Sequence, residues 1–278
     1  MNYYKVNLDI HPKQPWQEIL ISALADIEYE SFTEYDDKLQ AYVQEDNFNL
    51  EKLKNIINLY QSEDVSISFS EEIIPTQNWN AKWEEDYQPV IIDKSLLIRA
   101  PFHKEDDSFK HTIVIQPQMS FGTGHHQTTY LLCKMILDIQ LTNKTVLDVG
   151  TGTGVLGILS SILGAKEIFG TDIDDDIVDN AIENCQRNGI SNFKIIKGDI
   201  ESVPKQKFDV IYANINMNVL LRHIKYYSNI IQSGGWLLLS GFFETDVDTL
   251  IKEGKQYGFI KDTIKTLENW AVIKLKKH

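Results

Sequence analysis

The chain has 278 residues and a formal net charge of −13, with 42% hydrophobic and 24% charged residues. This length can bury a substantial core, and the acidic balance argues against extended contact with nucleic-acid phosphates while remaining compatible with a basic partner. No window is apolar enough for a membrane span and no leader pattern precedes the first strand, so we expect a cytoplasmic protein, and we expect a monomer.

The first 72 residues predict a small α+β domain. YYKVNLDI alternates like a strand, WQEILISALADI has helical spacing, and SFTEYDDKLQAYVQ indicates two further strands. NLEKLKNIINLYQ is typical of an amphipathic helix, and VSISFSEEII of a last strand. The order βαββαβ predicts a ferredoxin-like domain over residues 1–72. A connecting segment with a small hairpin, from IIDKSLLIRAPF and HTIVIQP, is expected over residues 73–117.

From residue 118 to residue 278 the pattern becomes α/β. TTYLLCKMILDIQ predicts a helix with a threonine as its N-cap. Five predicted strands then alternate with helices, namely TVLDVG, EIFGTDI, FKIIKGDI, FDVIYANI and GWLLLSGF. This alternation indicates a Rossmann-like parallel sheet with ligands at the carboxyl ends of its strands. FIKDTIKTLENWAVIKL indicates two more strands about a Glu268-Asn269 turn, which makes seven with an antiparallel pair at the end.

The run DVGTGTG, residues 148–154, lies between an apolar strand and an apolar helix, as a nucleotide-binding turn should. A dinucleotide GxGxxG fingerprint that starts at Gly150 needs a glycine at position 155, where Val155 stands. Asp148, Gly150, Thr151 and Gly152 fit instead the DxGxGxG turn of S-adenosylmethionine enzymes. This cofactor has no phosphate, so the glycines are expected to allow close approach of the backbone.

Acidic residues follow at the ends of the next two predicted strands. Asp172 in GTDID, 22 residues after Gly150, is placed to accept hydrogen bonds from the ribose hydroxyls, with Ile173 beside it in the site. Asp174 opens the following helix, where a capping role is expected. Asp199 in KGDIE is expected to accept a hydrogen bond from the adenine amino group, with the next residue, an isoleucine, packed on the ring. The turn and these acids together predict an S-adenosylmethionine site.

The run FGTGHHQTT, residues 121–129, precedes the glycine turn by about twenty residues and is compatible with a phosphate cradle, half of a metal site or a flexible turn. Because S-adenosylmethionine has no phosphate, the interpretation as a phosphate cradle loses its support. The adjacent His125 and His126 are poorly placed to share one ion, and Cys133 and Cys185 form no CxxC pair. We therefore predict no metal, and we expect reduced, buried thiols.

Several of these motifs together resemble the PrmA family, the methyltransferases of ribosomal protein L11. They are FGTGHHQTT, DVGTGTG, GTDID and ANI, preceded by NWNAKWEEDYQPV and followed by NWAVIKL. The resemblance covers nearly the whole chain, and FGTGxHxTT is its specific part. It implies that the N-terminal domain recognises the ribosomal protein and that the C-terminal domain methylates its lysine side-chain and N-terminal amines.

The resemblance also implies roles for individual residues. It predicts a loop over the cofactor made by Phe121, Gly122, Thr123 and the glycine that follows, with Thr129 and the threonine before it starting the next helix. It places Asn214 of ANI beside the transferring methyl, as the catalytic residue and as a cofactor contact. His125 is left with three possible roles, which are contact with the cofactor, contact with the incoming amine and stabilisation of the loop.

Asn214 also suits the chemistry of amine methylation. A lysine amine has a pKa of about 10.4, so most of it is protonated at neutral pH. An amide oxygen can accept amine hydrogens and aim the lone pair without the charge that would hold the lysine protonated. A plain turn asparagine is the alternative, and the sequence ANINMN leaves the role of Asn216 open.

Three other functions are compatible with parts of the sequence. A related methyltransferase acting on another protein or a small amine would use the same cofactor pocket. A non-catalytic binding module is disfavoured by the intact glycine turn and Asn214. A nicotinamide oxidoreductase is disfavoured by Val155.

Overall fold

The computed structural model describes residues 2–35, 38–75, 83, 84, 86–118 and 121–278. The chain divides into two compact units, unit 1 over Met1–Asp86 and unit 2 over Tyr87–His278. Most of the first half of the motif NWNAKWEEDYQPV, including Trp79, lies outside the described residues. Among the described residues, no helix combines the length and apolar character needed to cross a membrane.

Unit 1 has the predicted element order βαββαβ. Its elements are β1 (Tyr3–His11), α1 (Trp16–Ala25), β2 (Ser31–Tyr35), β3 (Lys38–Gln44), α2 (Leu50–Tyr60) and β4 (Ser66–Ile74). The strands form one antiparallel sheet in the order β2-β3-β1-β4. Alternate residues of β1, such as Val6 and Leu8, belong to a buried cluster with Leu20 of α1 and Leu53 of α2. One face of the sheet therefore carries the core of this unit.

Unit 2 begins with three short strands and continues as an α/β domain. Its elements are β5 (Val90–Ile92), β6 (Leu96–Arg99), β7 (His111–Val114), α3 (Gln127–Ile136), β8 (Thr145–Val149), α4 (Val155–Ile162), β9 (Glu167–Asp172), α5 (Asp175–Arg187), β10 (Phe193–Lys197), β11 (Phe208–Asn214), α6 (Met217–Ile230), β12 (Ile231–Phe243), α7 (Val247–Gln256), β13 (Phe259–Leu267) and β14 (Trp270–Lys277).

The large sheet of unit 2 has seven strands in the order β10-β9-β8-β11-β12-β14-β13. Strands β8 to β12 are parallel, and β14 is antiparallel to both of its neighbours. The predicted Rossmann-like fold is thereby confirmed, including the Glu268-Asn269 turn, where both residues have positive φ as hairpin turns require. The strand order reverses between β8 and β11, which is where ligands bind in such sheets.

The sheet of unit 2 is buried on both faces. Val146 and Tyr212 point into a core shared with α3 and α4, whereas Leu147 and Ala213 point into a core shared with α6 and α7. This explains why the parallel strands are nearly continuous apolar runs.

The segment predicted as a connection with a hairpin contributes a three-stranded sheet whose apolar residues, Ile98 among them, join the first of these cores. Only β5 and β6 form a hairpin there, since β7 pairs with β6 in parallel.

Candidate functional site

A cavity of about 320 Å³ opens at the carboxyl ends of β8, β9, β10 and β11. Seven of the predicted site residues line it, namely Phe121, Gly150, Gly152, Asp172, Ile173, Asp199 and Asn214. Gly122, Thr123, Thr129, Asp148 and Thr151 are not among its lining residues. Seven of the twelve predicted site residues therefore face the cavity and five do not.

The glycine turn is pressed against two neighbouring loops. Gly150 and Gly152 have φ of 70° and 55°, in the left-handed region that glycine adopts most easily. A Cβ on Gly150 would overlap the side chain of Ile215, and a Cβ on Gly152 would overlap the carbonyl oxygen of Phe121. The turn thus needs glycine both for its conformation and for its contacts.

The two glycine-rich runs are bonded directly to each other. The backbone N–H of Thr153 donates to the carbonyl of Phe121 at 3.0 Å, and its hydroxyl donates to the carbonyl of Gly122 at 2.6 Å. The Phe121 ring lines the cavity and is 50% exposed. Residues 121–125, which we call the cover loop, therefore lie against the glycine turn; that they cover a bound cofactor stays a prediction from the family resemblance.

Asp148 lies behind the turn because of strand alternation. Like Val146, two residues earlier, it faces the side of the sheet that α3 and α4 cover. Its carboxylate is fully buried, and Oδ2 accepts a hydrogen bond from the Thr151 hydroxyl at 2.9 Å. Burial raises the pKa of Asp148 to about 7, opposed by the hydrogen bonds from the Thr151 hydroxyl and from the backbone N–H of Gly157. Asp148 can support the turn but does not reach the cavity.

Replacing Asp148 by asparagine should stabilise the protein at alkaline pH. The carboxyl titrates near its ordinary pKa of 3.8 in the unfolded chain and at about 7 in the folded one. At pH values between 3.8 and 7 only the folded state keeps this proton. The free energy of unfolding of the wild type therefore falls as the pH rises through this range, by about 4 kcal/mol in total. Asparagine does not titrate, so the advantage of Asp148→Asn should grow by about 2 to 3 kcal/mol between pH 5 and pH 8.

Urea denaturation at the two pH values measures this advantage. Asp174→Asn is the matched control, because Asp174 is an exposed carboxylate that caps α5 by accepting from the Asp176 N–H at 3.0 Å, and asparagine caps equally well. A difference between Asp148→Asn and wild type that does not change with pH would contradict the expectation.

The carboxylates of Asp172 and Asp199 stand at the cavity. Asp172 Oδ2 accepts from the Gly152 N–H at 3.1 Å and Oδ1 from the Ile173 N–H at 2.9 Å, so it fastens the turn to the end of β9. Asp199 accepts from the Glu201 N–H at 2.9 Å, and buried Ile200 lines the cavity beside it. Each carboxylate oxygen has a further lone pair, so both side chains can also accept hydrogen bonds from a ligand.

Asp172→Ala should weaken binding of S-adenosylhomocysteine by about 10- to 100-fold, because a hydrogen bond to a charged carboxylate contributes more free energy than one between neutral groups. The Gly152 N–H also loses its acceptor in this variant. Isothermal titration calorimetry measures the affinity. Asp174→Ala, two residues away and outside this cavity, should bind like the wild type. Equal affinities of the two variants would move the proposed ribose contact away from Asp172.

Asn214 ends β11 and is held on one side only. Its Nδ2 donates to the Thr129 hydroxyl at 3.4 Å, whereas its Oδ1 is buried without a partner among the described residues. Unsatisfied buried acceptors are uncommon, and one that belongs to a residue lining a cavity can be satisfied by a ligand there. Thr129 thus orients the amide from behind while the oxygen stays available.

Two neighbours fix the loop after Asn214. Asn216 accepts from the Asn218 N–H at 2.9 Å and is the N-cap of α6, which explains the residue that the sequence left open. Gly241 of β12 has φ of 93°, and a Cβ there would overlap the carbonyl oxygen of Ile215. Sequence reasoning missed Gly241; a glycine at the carboxyl end of a strand, beside the site strand in the sheet, was the available signal.

The histidines of FGTGHHQTT have structural contacts. The predicted threonine N-cap of α3 is wrong, since His126 is the cap and its Nδ1 accepts from the Thr128 N–H at 3.3 Å. Thr128 and Thr129 are the second and third residues of α3, so neither stands at the cap position. His125 Nε2 lies 2.7 Å from the carbonyl oxygen of Gln88, and Nδ1 lies 3.2 Å from the Thr123 hydroxyl, which favours the loop-stabilising role.

An aromatic group, Phe121, His126, Trp270 and Phe243, extends from the cavity. Ring centroids are 4.8 Å apart for Phe121 and His126, 4.7 Å for His126 and Trp270, and 4.4 Å for Trp270 and Phe243. Because Phe121 also lines the cavity, the group leads from the cavity to the end of β12 and the start of β14. Phe243 was not assigned from sequence, since two adjacent phenylalanines after a strand are also common in cores.

Within the described part of the chain, no group of three or more His, Cys, Asp or Glu side chains could hold a metal ion. Both cysteines are free and buried.

The residues of the cavity fit S-adenosylmethionine. Two carboxylates face it and can accept hydrogen bonds from hydroxyl and amino groups, and Ile173 and Ile200 give it apolar walls. Gly150 and Gly152 also line it, in the left-handed conformation of the turn. None of the described residues lining it is lysine or arginine, so it does not match a phosphate ligand.

Residues 13–278 match the family described as Ribosomal protein L11 methyltransferase (PrmA). A ribosomal protein L11 methyltransferase of Bacteroides fragilis is 35% identical over 277 residues, and one of Phocaeicola vulgatus is 36% identical over 277 residues. Each alignment covers 99% of both chains. The crystal structure of a ribosomal protein L11 methylase from Lactobacillus delbrueckii subsp. bulgaricus superposes with a TM-score of 0.64 at 29% identity, over 69% of this chain and 100% of that one.

The fold, the cavity and these relatives define an enzyme, a methyltransferase of the Rossmann-like class whose methyl donor is S-adenosylmethionine. The chain belongs to the ribosomal protein L11 methyltransferase (PrmA) family.

Proposed function

We propose that this enzyme transfers methyl groups from S-adenosylmethionine to lysine side-chain and N-terminal amines of ribosomal protein L11. The observation that carries the proposal is the buried, unpartnered Oδ1 of Asn214 at the edge of the cofactor cavity. The names of relatives aligned over 99% of the chain support the identity of the substrate. A related methyltransferase of another protein or small amine is the alternative.

Bound S-adenosylmethionine supplies a methyl group already activated by its sulfonium. The cavity residues then have mainly to orient the amine. Asn214 Oδ1 accepts one amine hydrogen, and Thr129 keeps the amide plane fixed through Nδ2. An amide is too weak a base to take up the proton of a lysine ammonium, so the amine has to lose that proton to bulk water before its lone pair attacks the methyl group.

We assign the aromatic group to binding of the lysine side chain of the substrate. Its rings offer apolar surface for the methylene stem of a lysine, and aromatic faces attract an ammonium that gains methyl groups. Trp270 is the central member, in contact with both His126 and Phe243.

We further propose that unit 1, which includes the predicted domain over residues 1–72, recognises the ribosomal protein. The formal net charge of −13 favours a basic partner. Both cysteines are free thiols, which is compatible with an enzyme that acts in the cytoplasm. We propose that the enzyme is a monomer and that it does not bind nucleic acid directly.

The proposal is tested with purified enzyme, labelled S-adenosylmethionine and a mixture of unmethylated large-subunit proteins. Mass spectrometry should find the label on lysine and N-terminal amines of L11. Label on a different protein, with none on L11, would reject the substrate and favour the alternative.

A further inference from the structure

The cover loop is joined at its far end to the first two residues of unit 2. His125 Nε2 lies 2.7 Å from the carbonyl oxygen of Gln88. A carbonyl oxygen only accepts, so Nε2 carries the proton and donates it. Nδ1 of the same ring lies 3.2 Å from the hydroxyl oxygen of Thr123 in the loop. The imidazole therefore links the loop to the main chain of Gln88.

Tyr87 strengthens this connection. Its ring packs edge-on against His125 with centroids 4.7 Å apart, and its phenol is hydrogen-bonded to the side chain of Thr123. Two residues of the cover loop thus contact Tyr87, and one of them also holds Gln88.

A second histidine holds the same segment without touching the cover loop. His103 Nε2 lies 2.6 Å from the carbonyl oxygen of Tyr87, and its Nδ1 accepts from the Ala100 N–H at 3.1 Å. His103 follows β6, so its contact fixes Tyr87 to the small sheet. The two histidines make the same kind of bond to adjacent carbonyls, but only His125 connects them to the cofactor site.

The near end of the cover loop is bonded to the glycine turn through Thr153, which donates to the carbonyls of Phe121 and Gly122. Between the two ends, Gly124 lies so close to β6 that an added Cβ would be 3.0 Å from Ile98 Cδ1. A loop of five residues, bonded at both ends and packed in the middle, transmits displacement because packed atoms do not compress.

We propose that His125 is a positioning residue that couples cofactor binding at the glycine turn to residues 87–92, the start of unit 2. The inference rests on the proposed function for the nature of the ligand. Tyr87 follows directly on Asp86, the last residue of unit 1, so the coupling acts on the covalent connection between the units. Coupling of this kind is reciprocal, and whatever restrains residues 87–92 also favours the bound cofactor.

Hydrogen exchange measured by mass spectrometry tests the coupling with S-adenosylhomocysteine as the ligand. In the wild type, saturating ligand should slow exchange in residues 87–92 by about tenfold. His125→Leu should bind the ligand but lose this response. His125→Gln should keep most of it, because its amide N–H can still donate to Gln88. Calorimetry sets the ligand concentration that saturates each variant.

His103→Leu is the matched control. It should raise exchange of residues 87–92 with and without ligand, yet preserve the ratio between the two states. A full response in His125→Leu, no response in the wild type, or equal loss in His103→Leu would each overturn the proposal. If His125→Leu does not fold, His125→Phe, which keeps a ring but has no N–H to donate to Gln88, is used in its place, and a full response there would also overturn the proposal.

The assay contains no protein substrate, so the two proposals fail separately. A wild type that binds the ligand and methylates L11 without a response at residues 87–92 rejects the coupling alone. A wild type that shows the response but leaves L11 unmethylated rejects the substrate alone. A wild type that binds no S-adenosylhomocysteine rejects both.

Discussion

Asn214→Ala should lower kcat for methyl transfer by about 10²-fold or more, because the amine loses the acceptor that orients its lone pair. The affinity for S-adenosylhomocysteine should change by less than about fivefold, since an apolar wall and two carboxylates of the cavity remain. Single-turnover kinetics and calorimetry separate the two effects. A loss of ligand affinity as large as the loss of kcat would assign Asn214 to cofactor binding.

Two further variants sharpen the test of Asn214. Asn216→Ala removes an asparagine two residues away that only caps α6, so kcat should stay near that of the wild type while stability falls by about 1 kcal/mol. Asn214→Asp keeps an acceptor oxygen but adds a charge that stabilises the lysine ammonium, so it should remain slow. Wild-type activity in Asn214→Asp would show that any acceptor suffices there.

Gly152→Ala should weaken binding of S-adenosylhomocysteine by about 10²-fold or more. Its Cβ would overlap the carbonyl oxygen of Phe121, so the turn and the cover loop have to separate, and the residue would also hold a left-handed backbone against its preference. The loss should appear in calorimetry as weaker binding, with Phe121 no longer closing its side of the cavity.

Gly189→Ala distinguishes the contact from the backbone strain. Gly189 has φ of 66°, close to that of Gly152, but a Cβ there meets nothing within 4 Å. It should cost stability by about 1 kcal/mol and leave ligand affinity unchanged. If both variants bound equally well, the contact between the two glycine-rich runs would not matter for the cofactor.

Most of the sheet of unit 2 was predictable, because parallel strands buried on both faces leave apolar runs whose order along the chain is easily recognised. The pairing of β7 was not, since a strand of four residues carries no signal for a parallel partner. The N-cap of α3 was also missed. The side chains of His126, Thr128 and Thr129 can all cap a helix, and the start of the helix at Gln127, which no local pattern marks, makes His126 the cap.

The glycines and aspartates that face the cavity were predicted from motif spacing, and Phe121 and Asn214 from the family resemblance, whereas the contacts among these residues were not predicted. Asp148 leads the motif and was expected to contact the cofactor. Alternation along β8 instead turns its side chain toward the side of the sheet that α4 covers, and the sequence of the strand alone does not show which side that is. The bonds from Thr153 to Phe121 and Gly122 span about thirty residues of chain, so no local pattern encodes them.

The position of β14 has a consequence for the order of folding. β14 follows β13 in the chain, yet it lies between β12 and β13 in the sheet. Until β14 inserts, β12 has an open edge and β13 has no neighbour within the sheet, and such edges are sites of wrong pairing. The order of strands therefore makes the insertion of β14 the step that closes this end of the sheet.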